Sequence, residues 1–129
     1  MRAMTHFVLG YLTALFFVPF GNIPALLVWG MQLFPLIDGV LKRALKFEFF
    51  HTIYGFLGSA IVLWAVTPWW WLGIGSYALH IASDLIAAPG VAFFAPTNEK
   101  RYVAPILHAD AVVTTLSLLG IILMLVKLS

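Results

Sequence analysis

The side chains that could do chemistry in this chain lie near one end of its predicted helices. They comprise all four histidines and four of the five acidic residues: His6, Asp38, Glu48, His51, His80, Asp84, His108 and Asp110. An ionised Asp at the centre of a membrane helix costs about 2.5–3.5 kcal/mol, so such a cluster in apolar sequence needs a compensating ligand. Because the chain has no cysteine, nitrogen and oxygen atoms must hold any metal. The pattern predicts a divalent-metal site.

Helical spacing indicates which of these residues can act together. His80 and Asp84 are four residues apart, so a helix places both on one face. His108 and Asp110 are two apart and cannot both point at one centre from a regular helix. We therefore favour Asp110 and expect His108 at the rim. Glu99 falls in a predicted loop.

Five apolar segments must position these side chains. They cover about residues 5–20, 23–37, 49–66, 69–88 and 106–128, with a polar segment over 38–48. The chain is 63% apolar and 9% charged, which predicts an integral membrane protein. Each span uses about 20 residues, which leaves no room for a separate soluble domain. We expect an all-α polytopic membrane protein with one domain, residues 1–129, and four or five spans in one bundle.

The basic residues choose between four and five spans. The first two segments are short and could form two spans, or one span and a re-entrant hairpin. Five spans leave only Lys127 opposite the other cations, which are Arg2, Lys42, Arg43, Lys46, Lys100 and Arg101. Lys and Arg are enriched in cytoplasmic loops, which favours five spans and a cytoplasmic amino terminus. A cleaved signal peptide is the alternative for the first segment. With five spans, one set of candidate residues shares the cytoplasmic side: His6, Asp38, His51, Asp84 and Asp110.

One stretch resembles a known family. It reads SYALHIASDLIAAPGVAFFAPTNEKRY and contains a histidine, three residues, an aspartate and a Gly-Val-apolar-Pro loop. It is similar to the YdjM-like family of LexA-binding inner-membrane proteins, which are described as metal-dependent hydrolases. The resemblance implies that His80 and Asp84 are metal-site residues in a bacterial or archaeal inner membrane. THFVLG and FPLIDG resemble family segments that imply His6 and Asp38. EFFHTIYG retains one family histidine, His51.

A mixed imidazole and carboxylate shell suits zinc, manganese or iron(II), and we expect zinc or manganese, as one ion or two. The expected core ligands are His6, His51, His80 and Asp84. Asp38 and Asp110 would complete the shell, or one of them would act as the catalytic general base. Two ions could clamp the attacking and leaving oxygens of a phosphoester.

The predicted function is metal-dependent hydrolysis at the cytoplasmic membrane face. Lys100 and Arg101 lie beside the apolar VAFFAP loop and could bind an anionic headgroup, so we expect a lipid-like or amphipathic phosphoester as substrate. The net charge of +2 is too small and scattered to indicate nucleic acid. Three other functions stay open: haem-based electron transfer, metal or proton transport, and a metal site that only braces the fold.

Overall fold

The structure is a computed structural model that describes residues 3–87, 90–98, 100–104, 106 and 108–128. Across these residues it is helical, apart from an isolated bridge between Val91 and Tyr102. The helices are α1 (Ala3–Phe17), α2 (Asn22–Leu33), α3 (Asp38–Leu45), α4 (Ile53–Val66), α5 (Trp70–Leu85) and α6 (Ala109–Leu128). The predicted all-α class is confirmed.

The second apolar segment continues beyond its predicted end at Ile37. Pro35 has no backbone N–H, and the chain changes from α2 to a short 3₁₀ turn over Phe34–Ile37. It then re-enters a helix at Asp38, so most of the predicted polar segment is α3. Asp38 therefore lies at the start of α3, within the helical stretch Asn22–Leu45, and not beyond the end of the second helical segment.

The helices pack in the order α6, α1, α2, α5 and α4. Two side chains of α5 donate hydrogen bonds to backbone carbonyl oxygens of α2: Ser76 to Val28, and His80 to Gln32. The later residue of α5 contacts the later residue of α2, so α2 and α5 run in the same direction. α2 and α5 belong to the second and fourth apolar segments. Their parallel direction agrees with a chain that reverses direction between successive apolar segments.

Three helical stretches are long and apolar enough to cross a membrane: Ala3–Phe20, Asn22–Leu45 and Ala109–Lys127. The other two apolar segments are shorter, since α4 has 14 residues and α5 has 16. At 1.5 Å per residue these helices are about 21 and 24 Å long. The last helix, α6, packs mainly on α1 and leaves most of its described apolar side chains exposed.

The segment after α5 folds over the end of the bundle where the polar residues lie. Val91 and Tyr102 exchange two backbone hydrogen bonds of 2.9 and 2.8 Å. Gly90 has φ +79°, and a Cβ there would lie 2.2 Å from the carbonyl oxygen of Tyr102, so only glycine fits. Val91 packs with Tyr77 and Ile81 of α5 in the buried core. The segment thereby covers one side of the polar cluster.

Candidate metal centre

Helix α5 presents His80 and Asp84 on its buried face, as their spacing predicts. His80 is 0% exposed and Asp84 is 7% exposed. The distance from His80 Nε2 to Asp84 Oδ2 is 3.2 Å. Ser76 and Ser83 are also buried, so the predicted polar face of this helix points into the bundle.

Helix α1 adds His6, which is fully buried near the start of the helix. His6 Nε2 lies 2.9 Å from Asp84 Oδ1. The His6 ring stacks on the His80 ring, with centroids 3.7 Å apart and planes 13° apart. One donor atom from each of His6, His80 and Asp84 lies within 4.8 Å of the other two. Residues that are distant in sequence therefore form one compact group of donors.

His51 brings a third imidazole from the turn before α4. Thr52 stabilises this turn, because its hydroxyl donates to the Phe49 carbonyl oxygen at 2.6 Å. His51 Nε2 lies 2.9 Å from Asp84 Oδ2 and 3.2 Å from His80 Nε2. We call His6, His51, His80 and Asp84 the donor cluster. It unites the four residues that the sequence analysis predicted as core ligands.

Nδ1 of each histidine in the donor cluster has a hydrogen-bond partner outside the cluster. His51 Nδ1 donates to Asp38 Oδ2 at 2.7 Å, and the His51 backbone N–H donates to the same oxygen at 3.0 Å. His80 Nδ1 donates to the Gln32 carbonyl oxygen. That carbonyl is free because it lies in the last turn of α2. Metal-binding histidines are usually held in this way, which leaves Nε2 for the ion.

The third imidazole ring, that of His6, is in contact with the side chain of Gln32. Gln32 Nε2 lies 3.2 Å from His6 Nδ1, whereas the buried Gln32 Oε1 has no hydrogen-bond partner in the part of the chain that the structure describes. A half-turn of the amide would let Oε1 accept a hydrogen bond from His6 Nδ1–H. His6 Nε2 would then present a lone pair to the cluster, as the other two histidines do.

The donor cluster fits a small divalent ion. His51 and His80 each donate through Nδ1, so their neutral rings would place two Nε2 lone pairs 3.2 Å apart. A proton or a cation must lie between such atoms. Ligands 2.0–2.1 Å from a tetrahedral zinc ion are roughly 3.3 Å apart. The donor separations of 2.9–3.2 Å are close to that spacing.

A proton on His51 meets this need when no cation is present. Burial lowers the pKa of His51, but hydrogen bonds with Asp38 and Asp84 and the charges of Asp84 and Glu48 outweigh burial and raise the pKa to about 9. A metal ion requires a neutral imidazole, so its binding would displace this proton.

A cavity of about 220 Å³, here called the inner cavity, opens beside the cluster. His51 and Asp84 line it, together with Asp38, Lys42 and Arg101. Asp38 Oδ1 is buried and has no hydrogen-bond partner among the described residues. Glu48 also lines the inner cavity, which thus combines three carboxylates with His51 and two cations. A divalent ion held by Asp84 and the histidines would add the positive charge that an anionic ligand requires.

Asp110 and His108 line a different cavity, of about 610 Å³, near the starts of α1 and α6. Asp110 Oδ1 accepts a hydrogen bond from Thr5 Oγ1 at 3.2 Å, and Thr5 Oγ1 lies 2.9 Å from Thr114 Oγ1. The starts of α1 and α6 are therefore adjacent, as the topology predicts. Asp110 contributes to the contact between these helices and is not brought into the donor cluster.

The two cations predicted to bind substrate take different positions. Arg101 lines the inner cavity, and its Nη2 donates to the Gly90 carbonyl oxygen at 2.7 Å. Lys100 instead lies over the Tyr102 ring, with Nζ 5.3 Å from the centroid. The predicted loop residue Glu99 lies outside the described residues, as does Arg2.

Sequence reasoning missed Gln32 and Lys42. Gln32 is a single polar residue in an apolar segment, and it is 0% exposed. A buried amide requires hydrogen-bond partners, which was the available signal. Lys42 lies one turn after Asp38 in α3, a relationship that is visible only if that segment is known to be helical.

Comparison of the chain with protein-family models, curated proteins and solved structures found no match. The resemblance to the YdjM-like family stays a prediction.

Proposed function

We propose that this chain is a membrane-embedded, metal-dependent hydrolase that cleaves a phosphoester at the cytoplasmic face. One observation carries the proposal: three imidazole Nε2 atoms and the Asp84 carboxylate converge beside a cavity that contains cations. Such a donor set is typical of zinc, manganese and iron(II). A bound divalent ion lowers the pKa of water and stabilises negative charge on a phosphoryl group.

The membrane assignment is supported by the three long apolar helices. The described cations support the proposal that the end of the bundle with the donor cluster faces the cytoplasm. Lys42 and Lys46 are near the donor cluster, whereas Lys127 is in the last turn of α6, at its opposite end. Because positive residues are enriched on the cytoplasmic side, the donor cluster would face the cytoplasm.

The residues of the site would have separate roles in hydrolysis. His6, His80 and Asp84 would hold one ion, and His51, which contacts both His80 and Asp84, would supply the fourth donor of a tetrahedral shell. Asp38 holds His51 through Oδ2 and can accept a proton from water through Oδ1. Lys42 and Arg101 bind the charged oxygens of the substrate. The predicted second ion has no comparable donor group among the described residues.

A second candidate is a metal site that only braces the fold. It is favoured by the number of protein donors, because structural zinc sites are usually closed by four protein ligands, whereas catalytic sites leave a position for water. The hydrolase therefore requires the shell to expand to five ligands, or one donor to withdraw.

Metal analysis and an activity assay distinguish these candidates. Purified wild-type protein should carry about one equivalent of zinc or manganese. Asp84→Asn should lose the metal, whereas Ser83→Ala should retain it because Ser83 donates to the Leu79 carbonyl oxygen. Equal metal content in wild type and Asp84→Asn would refute the metal centre. Bound metal without release of phosphate from dodecyl phosphate or dodecyl diphosphate would favour the bracing role.

A further inference from the structure

We propose that the substrate carries two linked phosphates, and that the terminal phosphate occupies the inner cavity while the second occupies a basic vestibule outside it. The basic vestibule is a cavity of about 350 Å³ whose charged lining residues are Lys42, Lys46, Glu48 and Arg101. This inference rests on the proposed hydrolase function, because it defines the substrate of the same site.

The inner cavity and the basic vestibule are adjacent. Lys42, Glu48 and Arg101 line both of them. Asp84 and His51 line only the inner cavity, and Lys46 lines only the vestibule. A ligand that extends from the donor cluster towards Lys46 must therefore pass between Lys42 and Arg101.

The vestibule has an excess of positive charge. Its described lining contains three cations and a single carboxylate, that of Glu48. Arg101 Nη2 lies 4.0 Å from Glu48 Oε1, which leaves the two lysines to be neutralised. Lys42 and Lys46 line the same cavity, where their like charges repel. A multiply charged anion would relieve this repulsion.

The backbone at Lys46 determines where this residue leaves α3. Lys46 ends α3 in the left-handed conformation, with φ +65°, where glycine is usually found. Its N–H donates to the Lys42 carbonyl oxygen at 2.8 Å, which fixes the backbone of the two residues relative to each other.

One phosphate cannot use all of these groups. A phosphate at the donor cluster can reach Lys42 and Arg101, which line the inner cavity, but Lys46 lines only the vestibule. A second phosphate joined through a bridging oxygen would lie beside Lys46 while sharing Lys42 and Arg101. The arrangement therefore fits a diphosphate.

The reaction would consume one water. The water oxygen forms a bond to the terminal phosphorus, and the bond from that phosphorus to the bridging oxygen breaks. Asp38 Oδ1 receives a proton from the water and later releases it to solvent. The bridging oxygen leaves with the second phosphate, where Lys42 and Arg101 stabilise its charge. The products are inorganic phosphate and a phosphomonoester, or two phosphates if the substrate is pyrophosphate.

A binding experiment tests the inference without requiring turnover. Calorimetry on metal-loaded protein, freed of unbound metal, would compare methylenediphosphonate, which cannot be hydrolysed, with methylphosphonate. Lys46→Ala should weaken binding of methylenediphosphonate about tenfold, as loss of a hydrogen bond to a charged group predicts, and leave methylphosphonate unchanged. The control Lys100→Ala removes a neighbouring cation that lies over Tyr102, and it should change neither affinity.

Three results would contradict the inference: Lys46→Ala that binds methylenediphosphonate like wild type, an equal loss for both ligands, or no binding of methylenediphosphonate to wild type. Failure of the hydrolase function looks different, because the Lys46-dependent binding would persist while dodecyl diphosphate is not cleaved. Tighter binding of dodecyl diphosphate than of inorganic pyrophosphate would identify a lipid source for the diphosphate. Equal affinities would identify a soluble source, and either result supports the diphosphate group.

Discussion

The backbone carbonyl oxygen of Gln32 accepts a hydrogen bond from Nδ1 of His80. The side chain of the same glutamine meets Nδ1 of His6, whose ring stacks on that of His80. One buried residue thus orients two of the three imidazoles. Because its two contacts use different parts of the residue, they can be separated by mutation.

Gln32→Ala should lower metal affinity about 10–100-fold, the usual effect of losing a partner of a ligating histidine. The substitution removes the contact with His6 and leaves the carbonyl that holds His80. Competition with a chelator would measure the affinity. Gln32→Glu retains an acceptor for His6 and should bind metal far better than Gln32→Ala. Equal affinity of Gln32→Ala and wild type would mean that this contact does not position His6.

Asp38→Asn should reduce turnover more than it reduces metal binding. The amide oxygen can still accept from the His51 ring, so metal affinity should fall by less than the factor of about 10–100 that follows loss of such a partner. Loss of a general base reduces kcat by about 10²–10⁴-fold. Measuring kcat at saturating metal separates the two effects. A kcat that returns to the wild-type value at saturating metal would leave Asp38 only as a positioning residue for His51.

Asp110→Asn should leave metal content unchanged. Its partner Thr5 joins α1 to α6, and hydrogen bonds between membrane helices contribute about 0.6 kcal/mol on average. We therefore expect a small decrease in the thermal midpoint in detergent and full metal occupancy. Loss of metal from this variant would mean that Asp110 is a metal ligand, as the sequence analysis predicted.

Gly10→Ala should weaken both the fold and the metal centre. A Cβ at position 10 would lie 2.9 Å from Gln32 Cγ and would displace the glutamine from His6. Overpacking of this kind costs about 1–3 kcal/mol. Gly58→Ala is the matched control, because a Cβ there meets nothing within 4 Å. The control should gain up to about 1 kcal/mol from helix propensity and keep its metal. The thermal midpoint and metal content of the two variants test this difference.

Much of the donor cluster could be predicted because its residues have strong local signals. The four-residue spacing of His80 and Asp84 defines a helix face, and His6 and His51 precede apolar segments. Alternation of helix direction then places these ends together. The cluster follows from connectivity as much as from residue type.

The remaining features depend on geometry that the sequence does not express. Asp38 was expected to complete the metal shell or to act as a base. Because α3 begins there, its Oδ2 is turned onto the His51 ring and not into the donor cluster, and only the role as a base stays in the proposal. Lys42 and Lys46 become part of the site only because α3 is helical. Gln32 could not be assigned a partner before the packing of α1 and α5 against α2 was known.

The donors span positions 6 to 84, and none of the four comes from α6. In the proposed membrane protein, a chain leaving the ribosome therefore has an incomplete set of ligands until α5 has been inserted. A helix inserted upside down would carry its imidazole to the other leaflet and abolish the set. In the proposed membrane protein, metal uptake would thus report that α1, α4 and α5 have reached their correct orientation, and newly made or misinserted chains would capture little metal.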